Sequence, residues 1–207
     1  MKSLSTAGRT KIEATIAEIE QRTAAELVVA TVEQSGSYSD VKLGYALAAA
    51  LGGAAVLHLL APELPVAYLL WLQLAAASAT WLLCSWPWLL GRVVPRAYLT
   101  QSVEQRAQLA FLEHALFETR DRTGVLILIS ELEHRVVILG DSGIHAKVQT
   151  SGWQSHVGHM VEAIRKGRAE DGICETLRAI GQVLIAEFPP RPDDVNELDN
   201  AVRQTRR

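Results

Sequence analysis

The sequence contains only two cysteines, Cys84 and Cys174, and they lie far apart. Two distant cysteines provide neither the disulfide framework of a small secreted domain nor the ligand spacing of a zinc site. The chain also lacks a basic cluster, because its 20 Lys and Arg residues are interspersed with 23 Asp and Glu residues and the formal net charge is -3. Nucleic-acid-binding surfaces are strongly basic, so the composition excludes nucleic acid as a partner.

Charge is nearly missing from residues 43–90, where Glu63 is the one formally charged residue. Two apolar runs, 43–61 and 66–90, are separated there by the turn Pro62-Glu63-Leu64-Pro65. A helix of about 20 apolar residues crosses a bilayer. The second run also carries tryptophans where a lipid-interface aromatic belt is expected, namely Trp81, Trp86 and Trp88. The pattern predicts a two-helix transmembrane hairpin over residues 43–90; a pair of buried core helices is the alternative.

The distribution of Lys and Arg beside the two runs predicts the orientation of this hairpin. Lys42 precedes the first run and Arg92 and Arg96 follow the second, whereas the connecting turn has no basic residue. Basic flanks remain on the cytoplasmic side of a membrane. We therefore expect both termini in the cytoplasm and Glu63 on the opposite side.

The segment before the hairpin, residues 1–42, contains one helix pattern and one strand pattern. Ile12, Ile16 and Ile19 recur with the spacing of an amphipathic helix. Residues 26–32 form a short apolar run rich in β-branched residues, as in a strand buried on both faces. One helix and one strand cannot enclose a core, so we expect this segment to fold together with residues 91–190.

Residues 91–190 supply the other elements of that domain. We expect strands at residues 124–130 and 134–139, and the short connection between them predicts antiparallel neighbours. The first of these strands is expected to share a sheet with residues 26–32. Two further helices are predicted from apolar residues at helical spacing. The first contains Val157, Met160, Val161 and Ile164 and ends at Gly167, and the second contains Ile173, Leu177, Ile180 and Leu184. The polar residues 191–207 are expected to be a loose C-terminal tail.

A further helix is predicted from Ser102, as its N-cap, to about Arg120. Its apolar residues lie on two faces: Val103, Ala107, Ala110 and Phe117 on one, and Leu109, Leu112 and Leu116 on the other. Such a helix buries both sides. We expect one side to cover the sheet and the other to contact a neighbouring helix, the membrane surface or a partner.

The order of these motifs resembles that of the TPM domain family, which is named after a thylakoid lumen phosphatase, a photosystem II repair protein and a nematode acetylcholine-receptor auxiliary subunit. The resemblance is strongest to a bacterial branch of membrane proteins with a transmembrane pair inserted after the first strand, and it covers about residues 10 to 190. The matching segments are Ala25–Val29, Ser37–Asp40, Gly124–Ser130, Glu133–Leu139, Gly140–Ile144, His145–Val148 with Trp153, and Gly167–Gly172.

The resemblance implies an α/β fold, a Rossmann-like TPM-type sandwich of a small mixed sheet flanked by helices, here interrupted by the transmembrane hairpin. It also implies a location in the bacterial cytoplasmic (inner) membrane, as a two-pass protein. Acid phosphatase activity, calcium binding, photosystem maintenance and receptor trafficking are attributed to different members. The family therefore does not fix a single activity.

The loop Gly140–His145 is the candidate catalytic site, since it follows a predicted strand and contains two glycines. Asp141 could coordinate a cation or attack phosphate, and His145 could transfer a proton. The alternative is structural: the glycines permit a turn while Asp141 or Ser142 caps the next helix. The structural interpretation is favoured, because no second carboxylate lies nearby in the sequence.

His156 and His159 are spaced to share one face of a helix, so they could bind a metal together with Asp141 or His145. Surface or partly packed histidines are the favoured interpretation, because no other ligand completes the set. We expect no cofactor; the alternative is a divalent cation such as calcium.

Two functions follow from these observations. The first is a membrane-anchored α/β binding or assembly module that acts on another membrane protein, with the lipid bilayer and that protein as its partners. The alternative is a membrane-anchored phosphatase or divalent-cation-binding enzyme that uses the Asp141 loop. Only the family resemblance and that loop favour the enzyme.

Overall fold

The computed structural model of the protein describes residues 5–148, 153–191 and 197–204. The chain divides into two compact units. One unit, Ser37–Leu99, is called the hairpin unit here, and the other, Met1–Gly36 with Thr100–Arg207, is called the α/β unit.

Eight helices occur in the described residues. In chain order they are α1 Thr6–Glu20, α2 Ser39–Leu60, α3 Val66–Cys84, α4 Pro87–Val93, α5 Arg96–Glu113, α6 Ser142–Lys147, α7 Gln154–Arg165 and α8 Ala169–Glu187. A short 3-10 helix, Leu116–Glu118, follows α5.

The α/β unit is built on a mixed four-stranded sheet of order β3-β2-β1-β4. Its strands are β1 Glu26–Val32, β2 Gly124–Ser130, β3 Arg135–Gly140 and β4 Arg203–Gln204. All seven residues of β1 pair in parallel with those of β2, and β2 pairs antiparallel with β3. These pairings confirm that the two apolar strands share a sheet and that β2 and β3 are antiparallel neighbours.

Helices cover both faces of this sheet, which explains why β1 and β2 are apolar throughout. Leu27 and Val29 belong to one core cluster with residues of α1, α7 and α8. Val28 and Ala30 belong to a second cluster with residues of α5. Alternate residues of a strand point to opposite faces, so the two alternating sets of side chains in β1 pack against different layers of helices. The α/β fold class is confirmed.

Helix α5 differs from the prediction at both ends. It begins at Arg96, directly after Pro95, so Ser102 lies inside the helix and is not its N-cap. It ends at Glu113, and Ala115 then adopts a left-handed backbone conformation with φ 54°. Arg120 is therefore outside the helix. The predicted end of α7 is confirmed, since Gly167 has φ 76° and its N–H donates to the Ile164 carbonyl.

The expectation of a loose tail is wrong for part of the C-terminal segment. Arg203 and Gln204 form β4, which pairs in parallel with Ala30 and Thr31 of β1. Val202, directly before β4, is buried. The sequence pattern did not predict this strand, because the segment is polar and is bound by side chains that are remote in sequence.

In the hairpin unit, α2 and α3 are long and apolar enough to cross a membrane. The two helices pack against each other, and the small residues Ala46, Ala50 and Ala54 form the buried stripe of α2. Most of the large apolar side chains of both helices are exposed. The second apolar run is not one helix, because α3 ends at Cys84 and Pro87 begins α4 as a first-turn proline.

Candidate functional site

Asp141 is the N-cap of α6. Its carboxylate accepts a hydrogen bond from the Ser142 N–H at 2.6 Å, and its own N–H donates to the Gly124 carbonyl at 2.9 Å. The side chain is buried and forms an ion pair with Arg122, with 3.2 Å between Nε and Oδ2. A capping bond and an ion pair are both structural interactions, so the carboxylate is already engaged by the fold.

Gly143 is required in this loop by a close backbone approach. A Cβ at this position would lie 2.7 Å from the Arg122 carbonyl oxygen, and the Asp121 carbonyl oxygen is nearer still. The Gly143 N–H donates to the Arg122 carbonyl at 3.0 Å. This N–H is therefore turned toward a carbonyl, not toward a site where an anion would bind.

The position of the Asp141 loop in the sheet also separates it from the usual ligand crevice. Strand β3 is antiparallel to β2, and Gly140 pairs with Val125 near the start of β2. The loop after β3 thus lies beside the amino ends of β1 and β2. Ligands of α/β sheets gather at the carboxyl ends of parallel strands, which is the opposite end of this pair.

The four predicted site residues are placed on two separate helices. His145 is exposed on α6, where its backbone N–H donates to the Asp141 carbonyl at 3.1 Å. His156 and His159 lie on α7, and His159 is exposed. Among the described residues, no group of three His, Cys, Asp or Glu side chains could hold a metal ion.

A hydrogen-bonded cluster that the sequence did not reveal lies at the carboxyl ends of β1 and β2. Glu133 accepts from the Ser35 N–H at 3.0 Å and from the Ser130 hydroxyl. The two serine hydroxyls are 2.7 Å apart. The cluster contains no histidine that could act as a general base toward a serine. Only its place after two adjacent parallel strands could have suggested it, since its three residues form no motif.

A second group of carboxylates faces the C-terminal segment. Glu20 lies at the end of α1, and burial raises the pKa of its carboxyl group to about 8, with the neighbouring Glu26 also raising it. Hydrogen bonds from the Leu27 N–H and from Asn200 act in the opposite direction. The carboxyl group of Glu20 is therefore protonated in the folded protein near neutral pH.

The exposed side of α5 carries two leucines. Leu109 and Leu112 are 54% and 59% exposed, whereas Val103, Ala107 and Ala110 on the opposite side are buried against the sheet. In the described part of the chain, these are the two large exposed apolar residues outside the hairpin unit. The prediction that one side of α5 covers the sheet is confirmed. The placement of Leu116 on the second apolar face is wrong, because Leu116 lies in the 3-10 helix after α5 and is buried in the same cluster as Val103. The second face therefore consists of Leu109 and Leu112, and it has no covering element among the described residues of the α/β unit.

Residues 92–183 match the family model of the TPM domain. The similarity to the TPM domain is thus shown for this part of the chain. The NMR structure of the BA42 protein from the psychrophilic bacterium Bizionia argentinensis is similar to the chain, with a TM-score of 0.61, 18% sequence identity, and coverage of 99% of this chain and 97% of that one. At that identity the similarity shows the fold alone. No curated protein matched the chain.

The match confirms the family that the order of motifs predicted. Within the α/β unit, the range matched to the TPM domain includes β2, β3 and the Asp141 loop, but not β1 or β4. In this structure β1 is the strand beside β2 in the core of the sheet. The sheet that carries the TPM domain is therefore completed by segments outside the matched range.

Proposed function

We propose that this chain is a membrane-anchored α/β module that binds another membrane protein and assembles with it. The apolar helices α2 and α3 support the anchor, because their large side chains face outward, as lipid-facing side chains do. Lys42, Arg92 and Arg96 flank the hairpin and support an orientation with both termini in the cytoplasm of a bacterial cell.

The exposed leucines of α5 are the observation that carries the binding role. Isolated large apolar side chains are normal on a surface, but two neighbours one helical turn apart form a small patch that a partner can cover. The exposed residues beside them are Gln105, Gln108 and Glu113. The nearby cation, Arg106, is buried and paired with Glu113 at 2.8 Å.

The charges around this patch favour a protein over a lipid surface as its partner. Helices that bind at an anionic membrane surface carry Lys and Arg beside the apolar residues. Here the exposed neighbours are amides and a carboxylate. A partner with an apolar face of its own fits this arrangement better.

The enzyme alternative has less support. Asp141 is held by its capping bond and by Arg122, and the Gly143 N–H is bonded to a carbonyl. Phosphoryl transfer relies on several positioned cations or donors. Among the described residues, Arg122 is the one cation that pairs with Asp141.

The binding role can be tested with a photo-crosslinking residue placed at position 112 of the full-length protein in its native membrane. We expect a discrete crosslink to one membrane protein. The same residue at Gln101, exposed on the same side of α5 three turns earlier, is the control and should give at least a tenfold weaker crosslink. The double variant Leu109→Ser/Leu112→Ser should reduce co-purification of that protein in mild detergent. Crosslinks to lipid alone, or equal crosslinks from both positions, would contradict the proposal.

A further inference from the structure

Helix α4 follows the hairpin of α2 and α3 directly but does not continue the axis of α3. Helix α3 has 19 residues and α2 has 22, so Cys84 at the end of α3 lies within about one turn of the start of α2. If α4 continued along that axis, its end would lie about 13 Å farther out. The Val93 carbonyl instead accepts a hydrogen bond from the Tyr45 hydroxyl, in the second turn of α2, at 3.2 Å. Helix α4 therefore runs across this end of the hairpin.

The bend between α3 and α4 keeps its polar groups bonded. The Ser85 N–H donates to the Leu82 carbonyl at 3.1 Å, and the Trp86 N–H donates to the Leu83 carbonyl at 3.2 Å. The Ser85 hydroxyl donates to the Trp81 carbonyl at 2.8 Å. Backbone groups at membrane depth must find such partners within the protein. A bend of this kind can therefore lie at the edge of the hydrocarbon layer.

The two sides of α4 differ in burial and in chemistry. Leu90 and Val94, one turn apart, are buried. Trp88 and Arg92, also one turn apart, lie on the other side of the helix, because a step of two residues turns the helix by about 200°. Trp88 is 61% exposed, and Trp86 beside it is 59% exposed. The Arg92 guanidinium carbon lies 5.5 Å from the centre of the Trp88 ring.

The positive charge of this surface is not neutralised by neighbouring acids. Residues 64–103 contain no Asp or Glu. Arg92 is exposed, and no carboxylate among the described residues pairs with it. On α2, Asp40 is engaged by the Tyr98 hydroxyl, which donates to its carboxylate at 2.7 Å. The leucine patch of α5, with amides and a carboxylate beside it, has the opposite character.

We propose that the exposed side of α4 is a lipid-binding surface, in which Arg92 binds the phosphate of an anionic phospholipid while Trp86 and Trp88 lie in the headgroup layer. A guanidinium donates two parallel hydrogen bonds to phosphate oxygens. Tryptophan is favoured at the boundary between hydrocarbon and water, and its ring holds the guanidinium beside the membrane surface. An anionic lipid is preferred, because a zwitterionic headgroup brings a cation of its own.

This proposal rests on the membrane anchor of the proposed function, because α4 reaches a bilayer only if α2 and α3 cross it. It does not depend on the leucine patch. The first test measures the lipid affinity of the full-length protein in a neutral detergent. A fluorophore on Ala97→Cys, exposed in the first turn of α5, reports the binding of short-chain phosphatidylglycerol or phosphatidylcholine in a Cys84→Ala/Cys174→Ala background.

We expect phosphatidylglycerol to bind at least about fivefold more tightly than phosphatidylcholine, which is the effect of one cation near an anionic headgroup. Arg92→Gln should remove most of this preference with the melting temperature unchanged, since Arg92 is exposed. Trp88→Leu should weaken the preference, and Arg92→Lys should retain most of it. The control Arg178→Gln removes an exposed cation from α8 and should leave the preference intact.

The second test places α4 in a bilayer. Full-length protein with Trp71→Phe and Trp81→Phe keeps Trp86 and Trp88 as its exposed tryptophans, since Trp153 is buried. It is reconstituted in phosphatidylcholine vesicles whose lipids carry bromine either close to the headgroup or at the chain ends. Bromine quenches tryptophan fluorescence on contact. We expect stronger quenching by the bromines close to the headgroup.

Several results would overturn the proposal. Equal affinity for the two lipids, or a preference that survives Arg92→Gln, would show that Arg92 binds no headgroup. A preference that Arg178→Gln removes equally would reduce the effect to net charge. Stronger quenching by the chain ends, or none in inserted protein, would place α4 outside the headgroup layer. Protein that fails to insert into vesicles would contradict the anchor as well, whereas insertion without a lipid preference would contradict this proposal alone.

Discussion

Replacing Glu20 by glutamine should stabilise the folded protein by an amount that increases with pH. The Glu20 carboxyl group has its pKa raised from 4.5 to about 8, chiefly by burial. Below pH 4.5 the group is protonated in both the folded and the unfolded state, so its burial does not make stability depend on pH there. Between pH 4.5 and 8 the unfolded chain ionises while the folded chain keeps its proton, so the wild-type protein loses stability as the pH rises. Glutamine stays neutral throughout and still offers an oxygen to the Leu27 N–H.

The size of the effect follows from the pKa. At about 1.4 kcal/mol per unit of pKa, the wild-type protein loses at most about 5 kcal/mol of unfolding free energy relative to Glu20→Gln. Glu20 is partly solvent-accessible, so screening reduces this figure and we expect about 2 kcal/mol at pH 8. For a domain of this size that corresponds to an increase in melting temperature of about 4–8 °C.

The assay is thermal unfolding followed by circular dichroism in detergent between pH 4 and 9. The matched control is Glu18→Gln, because Glu18 is exposed on the same helix. The melting temperatures of Glu20→Gln and wild type should coincide near pH 4 and separate as the pH rises to 8. A difference that is constant with pH, or that reverses sign, would refute the burial argument.

Two further predictions concern the Asp141 loop. Asp141→Ala should lower the free energy of unfolding by about 1 kcal/mol through loss of the N-cap. It should leave any turnover of a generic phosphate monoester, with or without divalent cation, nearly unchanged. Turnover that disappears while the melting temperature stays constant would favour the enzyme. Gly143→Ala should cost about 1–3 kcal/mol, because its Cβ would meet two carbonyl oxygens. The control is Gly158→Ala in α7, where a Cβ meets nothing within 4 Å. This variant should stabilise the folded protein by about 0.5–1 kcal/mol in thermal unfolding. Equal effects of the two substitutions would contradict the steric argument.

The strands of the core were predictable from the sequence because their signals are local. Residues 26–32 and 124–130 are short runs composed mainly of apolar residues, and both match the observed strands. Their adjacency followed from the need to cover both apolar strands with the same helices. The register between them was not predictable, because it depends on packing across a separation of 98 residues.

The remaining elements depend on contacts that sequence patterns do not encode. β4 is two residues long and is positioned by Glu13 and Glu26, which are 189 and 171 residues from the N–H groups they bind. The end of α5 has no glycine, since Ala115 takes the left-handed conformation. The start of α5 had a usable signal in Pro95, which precedes the first helical residue.

The candidate site was predictable only in part. The structural alternative for Asp141 matches its observed role as a cap, because an Asp before a short helix is a local signal. The cluster of Ser35, Ser130 and Glu133 was not predictable, because it depends on the pairing of two strands that are separated by the hairpin unit.

Cysteine accessibility at Glu63 tests the membrane anchor most directly. In a full-length protein with Cys84→Ala and Cys174→Ala, single cysteines are placed at Glu63, in the turn between α2 and α3, and at Gln105, exposed in the α/β unit. Intact cells are treated with a membrane-impermeant maleimide. We expect labelling at position 63 and none at position 105 until the cells are opened. Labelling at position 105 in intact cells, or protection of position 63, would contradict a hairpin with both flanks in the cytoplasm.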